Sequence, residues 1–392
     1  MSGGGADEAD KARIEKFRKR LFEHPEVDSR YKNDMMRALL PAFALIMNSN
    51  IDVSTREDLL ERRMQDLVKL AKIVKSMEKP PKPPQEIRAL WAGNDIEQSQ
   101  EEIVSQPDGN SIKLSVIKPS AASASQGPLP CVMYIHGGGM ATNSAFNPEY
   151  QVLGRILAKQ GLVVVLPDFR NCEMPTPSNP EVAPFPAGLN DCYSALQWIH
   201  DNKAALGIDD RIIVAGESGG GNLTLAVTLK ALKEGRHDLV QHGIYAMCPY
   251  IAGRWPQDVT NNGILGTSHL NSVNNGIFLE MAGNNVPALG YGIEALRRKD
   301  PLAWPAFAAD EDLKAFPRTV IQVNEFDPLR DEGIVFYRRL VKAGVRATCK
   351  ELRGTIHGAS VMVTAVPEVT LDTCASIAAM AKMRPLGSTP KL

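Results

Sequence analysis

The chain has 392 residues, with 44 Lys and Arg against 45 Asp and Glu and a formal net charge of −1. That length can bury one large core plus an accessory region, and the balanced charge leaves no basic footprint for nucleic acid. The first eight residues lack the apolar core of a signal peptide, and no run of about twenty apolar residues would span a bilayer, so a cytoplasmic protein without stable membrane insertion is expected.

Residues 1–85 read as helical. Met35 to Met47 is apolar on most sides. Ser54-Thr55-Arg56-Glu57 has capping-box spacing. Behind it Leu59, Leu60, Met64, Leu67, Val68, Ala71, Val74 and Met77 recur at helical spacing, opposite a charged face of Arg62, Arg63, Asp66 and Lys69. Pro80 to Pro84 ends this helix in a stiff linker. The region is expected to contribute to a cap over a core made by residues 86–392.

The core opens with a hairpin signal, in which Glu102–Ser105 and Ile112–Ile117 flank Pro107-Asp108-Gly109. Strands then fall near 132–135, 162–166, 212–215, 244–247, 319–323 and 348–352, with helical segments between them. Repeated βα units predict an α/β fold with a mostly parallel central sheet, helices on both faces and an antiparallel edge. Functional groups of such a fold collect beyond the carboxyl ends of the strands. Residues 251–305 break the alternation with Asn, Gly and Pro, and with Trp255, Phe278, Met281, Tyr291 and Trp304. An irregular insert of this length is usually functional, and we expect a cap segment whose aromatics mainly pack against one another. The six cysteines show no C-x-x-C spacing, and Cys131, Cys248 and Cys349 lie in or at the end of predicted strands, as buried free thiols do.

Two motifs stand at strand ends. His136-Gly137-Gly138-Gly139 closes the first buried strand of the parallel set and leaves backbone N–H groups unshielded, as a tetrahedral oxyanion needs. A phosphate loop would want a lysine, and Met140-Ala141-Thr142-Asn143 supplies none; His136 is expected to brace the turn. Gly216-Glu217-Ser218-Gly219-Gly220 lies between the apolar run Arg211–Ala215 and the helical segment Gly221–Leu229. A G-x-S-x-G turn from strand to helix pushes the Ser218 hydroxyl out as a nucleophile and aims the Gly219 N–H at the oxyanion, alongside those of Gly138 and Gly139.

A serine needs a base, and there are seven histidines. His136 belongs to the glycine loop, His200 and His237 to surface helices, His24 to the N-terminal region, and His242 precedes a strand. His269 and His357 remain, and the chain order Ser, acid, His selects His357. Three acids compete on the loop after Thr319–Val323. Asp331 precedes a helix and suits a cap. Glu325 could bond loop backbone. Asp327, stiffened by Pro328, is favoured as the group that fixes the histidine tautomer.

Together H-G-G-G, G-E-S-G-G-G-N, D-P-L-R-D-E-G and the late H-G resemble the hormone-sensitive-lipase-like group of α/β-hydrolases. Val164 to Asn171, Pro184-Phe185-Pro186 and Asp300 to Pro305 are most similar to its brefeldin A esterase branch. The resemblance runs from about Cys131 to about Gly358. Where most of the group reads L-A-P-E, this chain has the different stretch Asn171 to Pro180, which alters a wall of the pocket. The resemblance implies a carboxylesterase with a helical cap acting on a small-molecule ester or lactone, with a homodimer as one assembly it could adopt. The chemistry calls for no metal and no organic cofactor. Two other readings use the same residues. An amidase or N-deacetylase would differ in its ester-to-amide rate ratio. A ligand receptor on a dead hydrolase would have no use for an intact Ser218, Asp327 and His357.

Overall fold

A computed structural model describes residues 8–40 except Met35 and Leu39, 53–76, 83–120, 127–253 except Pro177, 273–281 and 286–383. Its sheet has eight strands: β1 (Ile96–Val104), β2 (Ser111–Pro119), β3 (Leu129–Ile135), β4 (Val163–Asp168), β5 (Ile208–Glu217), β6 (Ile244–Met247), β7 (Thr319–Phe326) and β8 (Ala347–Ile356). Their order is β1-β2-β4-β3-β5-β6-β7-β8. The two pairings of β2 are antiparallel, and β3 to β8 pair in parallel around them. The expected hairpin joins β1 to β2, with the Gly109 N–H donating to the Ser105 carbonyl at 2.8 Å.

The side-chain period of two sorts each central strand between two cores. Cys131, Met133 and Ile135 of β3 and Ile212 and Val214 of β5 face one cluster, with Leu196, Leu223 and Phe336. Val132, Tyr134, Ile213 and Ala215 face the other, with Leu153, Leu157 and Ile377. Both faces are therefore covered by helices, which is why these strands read as unbroken apolar runs. The longer helices among the described residues are α1 (Glu8–Phe22), α2 (Arg56–Ser76), α3 (Pro148–Lys159), α4 (Ala187–Asp201), α5 (Gly219–Lys233), α6 (Val286–Arg297), α7 (Arg330–Lys342) and α8 (Pro367–Lys382). No helix among the described residues is long and apolar enough to cross a membrane.

A third cluster joins the N-terminal segment to the sheet. Phe17 and Leu21 of α1, with Val27, Tyr31, Met36 and Leu40, pack on Phe278, Phe326 and Ile356. Phe326 ends β7 and Ile356 ends β8. Of the apolar run Met35–Met47, Met36 and Leu40 are buried here, and residues 41–47 lie outside the described residues.

Helix α2 departs from its sequence pattern. Met64 and Val68 of the apolar stripe are 55% and 57% exposed, whereas Arg63 and Asp66 of the charged face are buried. The helix docks through polar groups. The Arg63 Nε donates to Glu173 Oε2 at 2.6 Å, and the Arg56 guanidinium donates to the Cys172 carbonyl at 2.9 Å. Its cap sits one residue later than the S-x-x-E spacing implies, because Thr55 Oγ1 accepts the Asp58 N–H at 3.1 Å. The linker residues Pro80 and Pro81 lie outside the described residues, as do 254–272 of the insert, Trp255 and His269 among them. Of the insert's other aromatics, Tyr291 and Trp304 pack on one another as expected, whereas Phe278 packs on the N-terminal segment. Trp304 meets both Tyr250 and Tyr291 edge-on, with ring centroids 5.4 Å apart in each case.

Candidate active site

The turn between β5 and α5 carries Ser218 with φ 57 and ψ −117, a left-handed conformation that side chains seldom adopt. Three hydrogen bonds hold it there. The Ser218 N–H donates to the Met247 carbonyl at 2.9 Å, and the Ser218 carbonyl accepts from Asn222 and Tyr250. The turn also needs close backbone approach. A Cβ on Gly220 would collide with the Ile135 carbonyl, and one on Gly216 would stand 2.5 Å from the Gly220 oxygen.

The glycine loop after β3 folds directly onto the start of α5. A Cβ on Gly219 would lie 2.7 Å from the Gly139 nitrogen and 2.6 Å from the Met140 nitrogen. The N–H groups of Gly139 and Gly219 thus share one locale beside Ser218. Those of Gly138 and Gly139 donate to no other described residue.

Glu217 fastens this loop. One carboxylate oxygen accepts the Gly137 N–H at 2.7 Å and the Tyr150 hydroxyl at 2.8 Å, and the other accepts the Tyr134 hydroxyl at 2.7 Å. Burial pushes its carboxyl up to about 7, against the pull of those three donors. His136 lies against the same turn. Its Nδ1 lies 2.8 Å from the Gly137 carbonyl and its ring stacks on Phe169 at 4.2 Å. Burial lowers its pKa, so the ring is neutral and Nδ1–H donates. Tyr134 and Tyr150 escaped the sequence reading. A signal existed for Tyr134, since a tyrosine inside a buried strand needs a partner for its hydroxyl.

Asp327 and His357 follow the last residues of β7 and β8. Asp327 Oδ2 lies 2.7 Å from His357 Nδ1, and His357 Nε2 lies 2.9 Å from Ser218 Oγ. Asp327 Oδ1 accepts the Leu329 N–H at 2.8 Å, which leaves the other oxygen aimed at the imidazole. Asn274, from the insert, donates to the Glu325 carbonyl at 2.8 Å and steadies the same loop. Burial opposes a charge on His357, and the Asp327 carboxylate more than offsets it, so the pKa of His357 stands well above the ordinary histidine value.

The competing acids do other work. Glu325 bonds backbone, accepting the Gly354 N–H at 2.7 Å, and pairs with Arg353 at 2.8 Å. Asp331 does not cap α7. The helix already begins at Arg330, so Asp331 falls in its first turn and pairs with the Arg330 Nε at 3.1 Å. Strand β8 also runs beyond the expected Leu352 to Ile356, so His357 hangs from the strand end and not from a free loop. The other described histidines lie elsewhere. His24 packs on Phe326 at 4.6 Å, His242 bonds the Ala381 carbonyl, and His200 faces Asp238 at the surface.

The stretch from Asn171 to Pro180 lies against the glycine loop. The N–H groups of Cys172 and Met174 donate to the carbonyls of Met140 and Ala141 at 2.8 and 2.9 Å. Glu173, between them, receives Arg63 of α2. Polar contacts therefore run from the glycine-loop side of the site to the N-terminal helices.

A family profile with the description alpha/beta hydrolase fold matches residues 132–361. This chain belongs to that family. Among solved structures, esterase Est22 is 43% identical, spans 93% of this chain and 100% of its own, and superposes with a TM-score of 0.79. Brefeldin A esterase, titled a bacterial homologue of human hormone-sensitive lipase, is 34% identical over 90% of this chain and 94% of its own, with a TM-score of 0.74. An arylesterase of Saccharolobus solfataricus is 30% identical over 58% of this chain and 67% of its own. The hydrolase is a carboxylic-ester hydrolase of the hormone-sensitive-lipase-like group.

Proposed function

We propose that this hydrolase cleaves small-molecule carboxylic esters through an acyl-enzyme on Ser218. The observation that carries the reading is the unbroken hydrogen-bond run from Asp327 through His357 to Ser218, at 2.7 and 2.9 Å. The Ser218 oxygen attacks the ester carbonyl while His357 Nε2 takes its proton. Asp327 fixes the tautomer and stabilises the imidazolium that forms. The N–H groups of Gly138, Gly139 and Gly219 hold the developing oxyanion. His357 then hands the proton to the departing alkoxide, and a water activated by the same nitrogen releases the acid. No metal or organic cofactor enters these steps.

The N-terminal region and the insert form the cap in this reading, supported by the packing of α1 and Phe278 over the ends of β7 and β8. Six free cysteines support a reducing, cytoplasmic setting. Aryl esters are the first substrates to try, because Est22 has been solved with p-nitrophenol. The test is a panel of p-nitrophenyl esters from acetate to palmitate, with lactones and anilides alongside, on wild type and Ser218→Ala. We expect turnover of esters well above anilides, whose amine leaving group needs protonation, and a Ser218→Ala rate reduced by at least about a thousandfold. Ester turnover that survives in Ser218→Ala overturns the assignment.

A further inference from the structure

Cys248 plays no part in the hydrolytic steps, yet it stands at their centre. It follows β6, the strand between those that carry Ser218 and Asp327. Its φ of 34 is left-handed, a conformation costing a non-glycine residue on the order of 1 kcal/mol. Its N–H donates to the Gln322 carbonyl at 2.7 Å, which fixes the backbone. The Cys248 sulfur, a His357 nitrogen and an Asp327 oxygen all lie within 4.8 Å of one another, and all three residues are buried.

We propose that Cys248, His357 and Asp327 form a binding site for a soft divalent cation of the zinc class, and that its occupation silences the hydrolase. Thiolate, imidazole and carboxylate are a donor set that zinc takes, with a fourth position left for water. Tetrahedral bonds of about 2.0 to 2.3 Å hold donors roughly 3.5 Å apart. Asp327 Oδ2 and His357 Nδ1, 2.7 Å apart, therefore open by a little under 1 Å to admit the ion, and the Cys248 sulfur closes on it, within the reach of small rotamer adjustments.

In the neutral form that serves as the base, Nδ1–H donates to Asp327, and Nε2 offers its lone pair to the Ser218 hydroxyl. The cation takes the place of the Nδ1 proton, which moves to Nε2. The Cys248 thiol gives its proton to solvent and binds as thiolate, and Asp327 changes from acceptor to ligand. No electron is transferred. With Nε2 protonated, His357 has no lone pair for the Ser218 proton, and acylation stops. Ser218 is partly exposed, so the cation enters by the opening that serves the ester.

The binding itself does not depend on the catalytic roles proposed above; only the silencing does. Two readouts separate them. Zn²⁺ added to chelator-stripped enzyme should abolish p-nitrophenyl ester hydrolysis at micromolar concentration, reversibly on adding chelator. Co²⁺ should give a thiolate-to-cobalt charge-transfer band in the near ultraviolet, with Ser218→Ala as well as with wild type. Cys248→Ser should keep ester hydrolysis, lose the band, and need roughly tenfold or more Zn²⁺ for the same inhibition. Cys248→Ala makes the same test should the buried position refuse serine. A Cys248 variant with the wild-type band and the wild-type Zn²⁺ response overturns the proposal, as does a wild-type enzyme that shows neither. A cobalt band without inhibition upholds the site and counts against His357 as the base.

Discussion

Three carboxylates crowd the end of β7, the turn after it and the start of α7, and geometry gives each a separate task. Asp327 alone reaches the imidazole, so Asp327→Asn should leave the ring free to take the wrong tautomer and lower kcat on the order of 10⁴-fold with a near-normal melting temperature. Glu325→Gln weakens the Gly354 bond and the Arg353 pair, and Asp331→Asn the Arg330 pair. Each should cost about 1 kcal/mol of stability or less and spare most of the rate. Steady-state kinetics beside thermal melts decide it; a slow Glu325→Gln with a normal Asp327→Asn would reverse the assignment. Glu217 acts one step removed, through the loop it fastens. Glu217→Ala should lower kcat about tenfold to a hundredfold with little change in KM, because one oxyanion donor is worth somewhat more than that. Glu217→Gln retains an acceptor for Gly137 and should recover most of the loss. The same residue gives a pH signature. Its carboxyl, ordinarily near 4.5, is held at about 7 in the folded protein by burial, with the Tyr134 and Tyr150 hydroxyls and the Gly137 N–H donating to it. The native state therefore keeps a proton that the unfolded chain has lost. This contribution to stability is complete below pH 4.5 and is lost as pH rises to about 7. Denaturant melts across that window should show a slope in wild type that Glu217→Gln flattens. Ser218, Asp327 and His357 were legible because each stands at a strand end with a local motif. Tyr150 and Cys248 were not, since their partners arrive from distant parts of the chain.

Helix α2 shows where periodicity misleads. Its apolar stripe at helical spacing suggests burial of Met64 and Val68, yet past Leu59 the buried positions belong to Arg63 and Asp66. A pattern in one helix cannot register Glu173, more than a hundred residues away, whose buried carboxylate selects the arginine face. Arg63→Ala leaves that carboxylate without its partner, a change that typically costs about 3 to 5 kcal/mol. The neighbours of Glu173 bond the residues after the glycine loop, so kcat should fall along with stability. The double variant Arg63→Met, Glu173→Met removes both charges and should recover much of the loss. Urea unfolding of the single and double variants measures it; additive losses would mean that the pair does not couple α2 to the loop. The hairpin and the central strands were readable because both sheet faces are covered and the strands are apolar throughout. The end of β8 was missed because Arg353 and Gly354 look like loop, while Glu325 accepts the Gly354 N–H and keeps the strand in the sheet.

At the scale of the whole molecule, the N-terminal segment and the site are one structure. Phe326 and Ile356, each next to a member of the proposed triad, are covered by Phe17, Leu21 and Tyr31. Fold class and the order of functional groups followed from βα alternation and motif placement. The manner in which the first forty residues dock did not, because that packing is set by tertiary contacts with the ends of β7 and β8. All of it converges on one oxygen, Ser218 Oγ, as the atom we propose becomes acylated. Diethyl p-nitrophenyl phosphate tests this most directly, since it phosphorylates an activated serine with release of one p-nitrophenol per site. We predict stoichiometric release, a single mass addition mapped by peptide sequencing to Ser218, parallel loss of esterase activity, and no addition in Ser218→Ala. Labelling at another residue, or inactivation that proceeds equally in Ser218→Ala, would contradict the account.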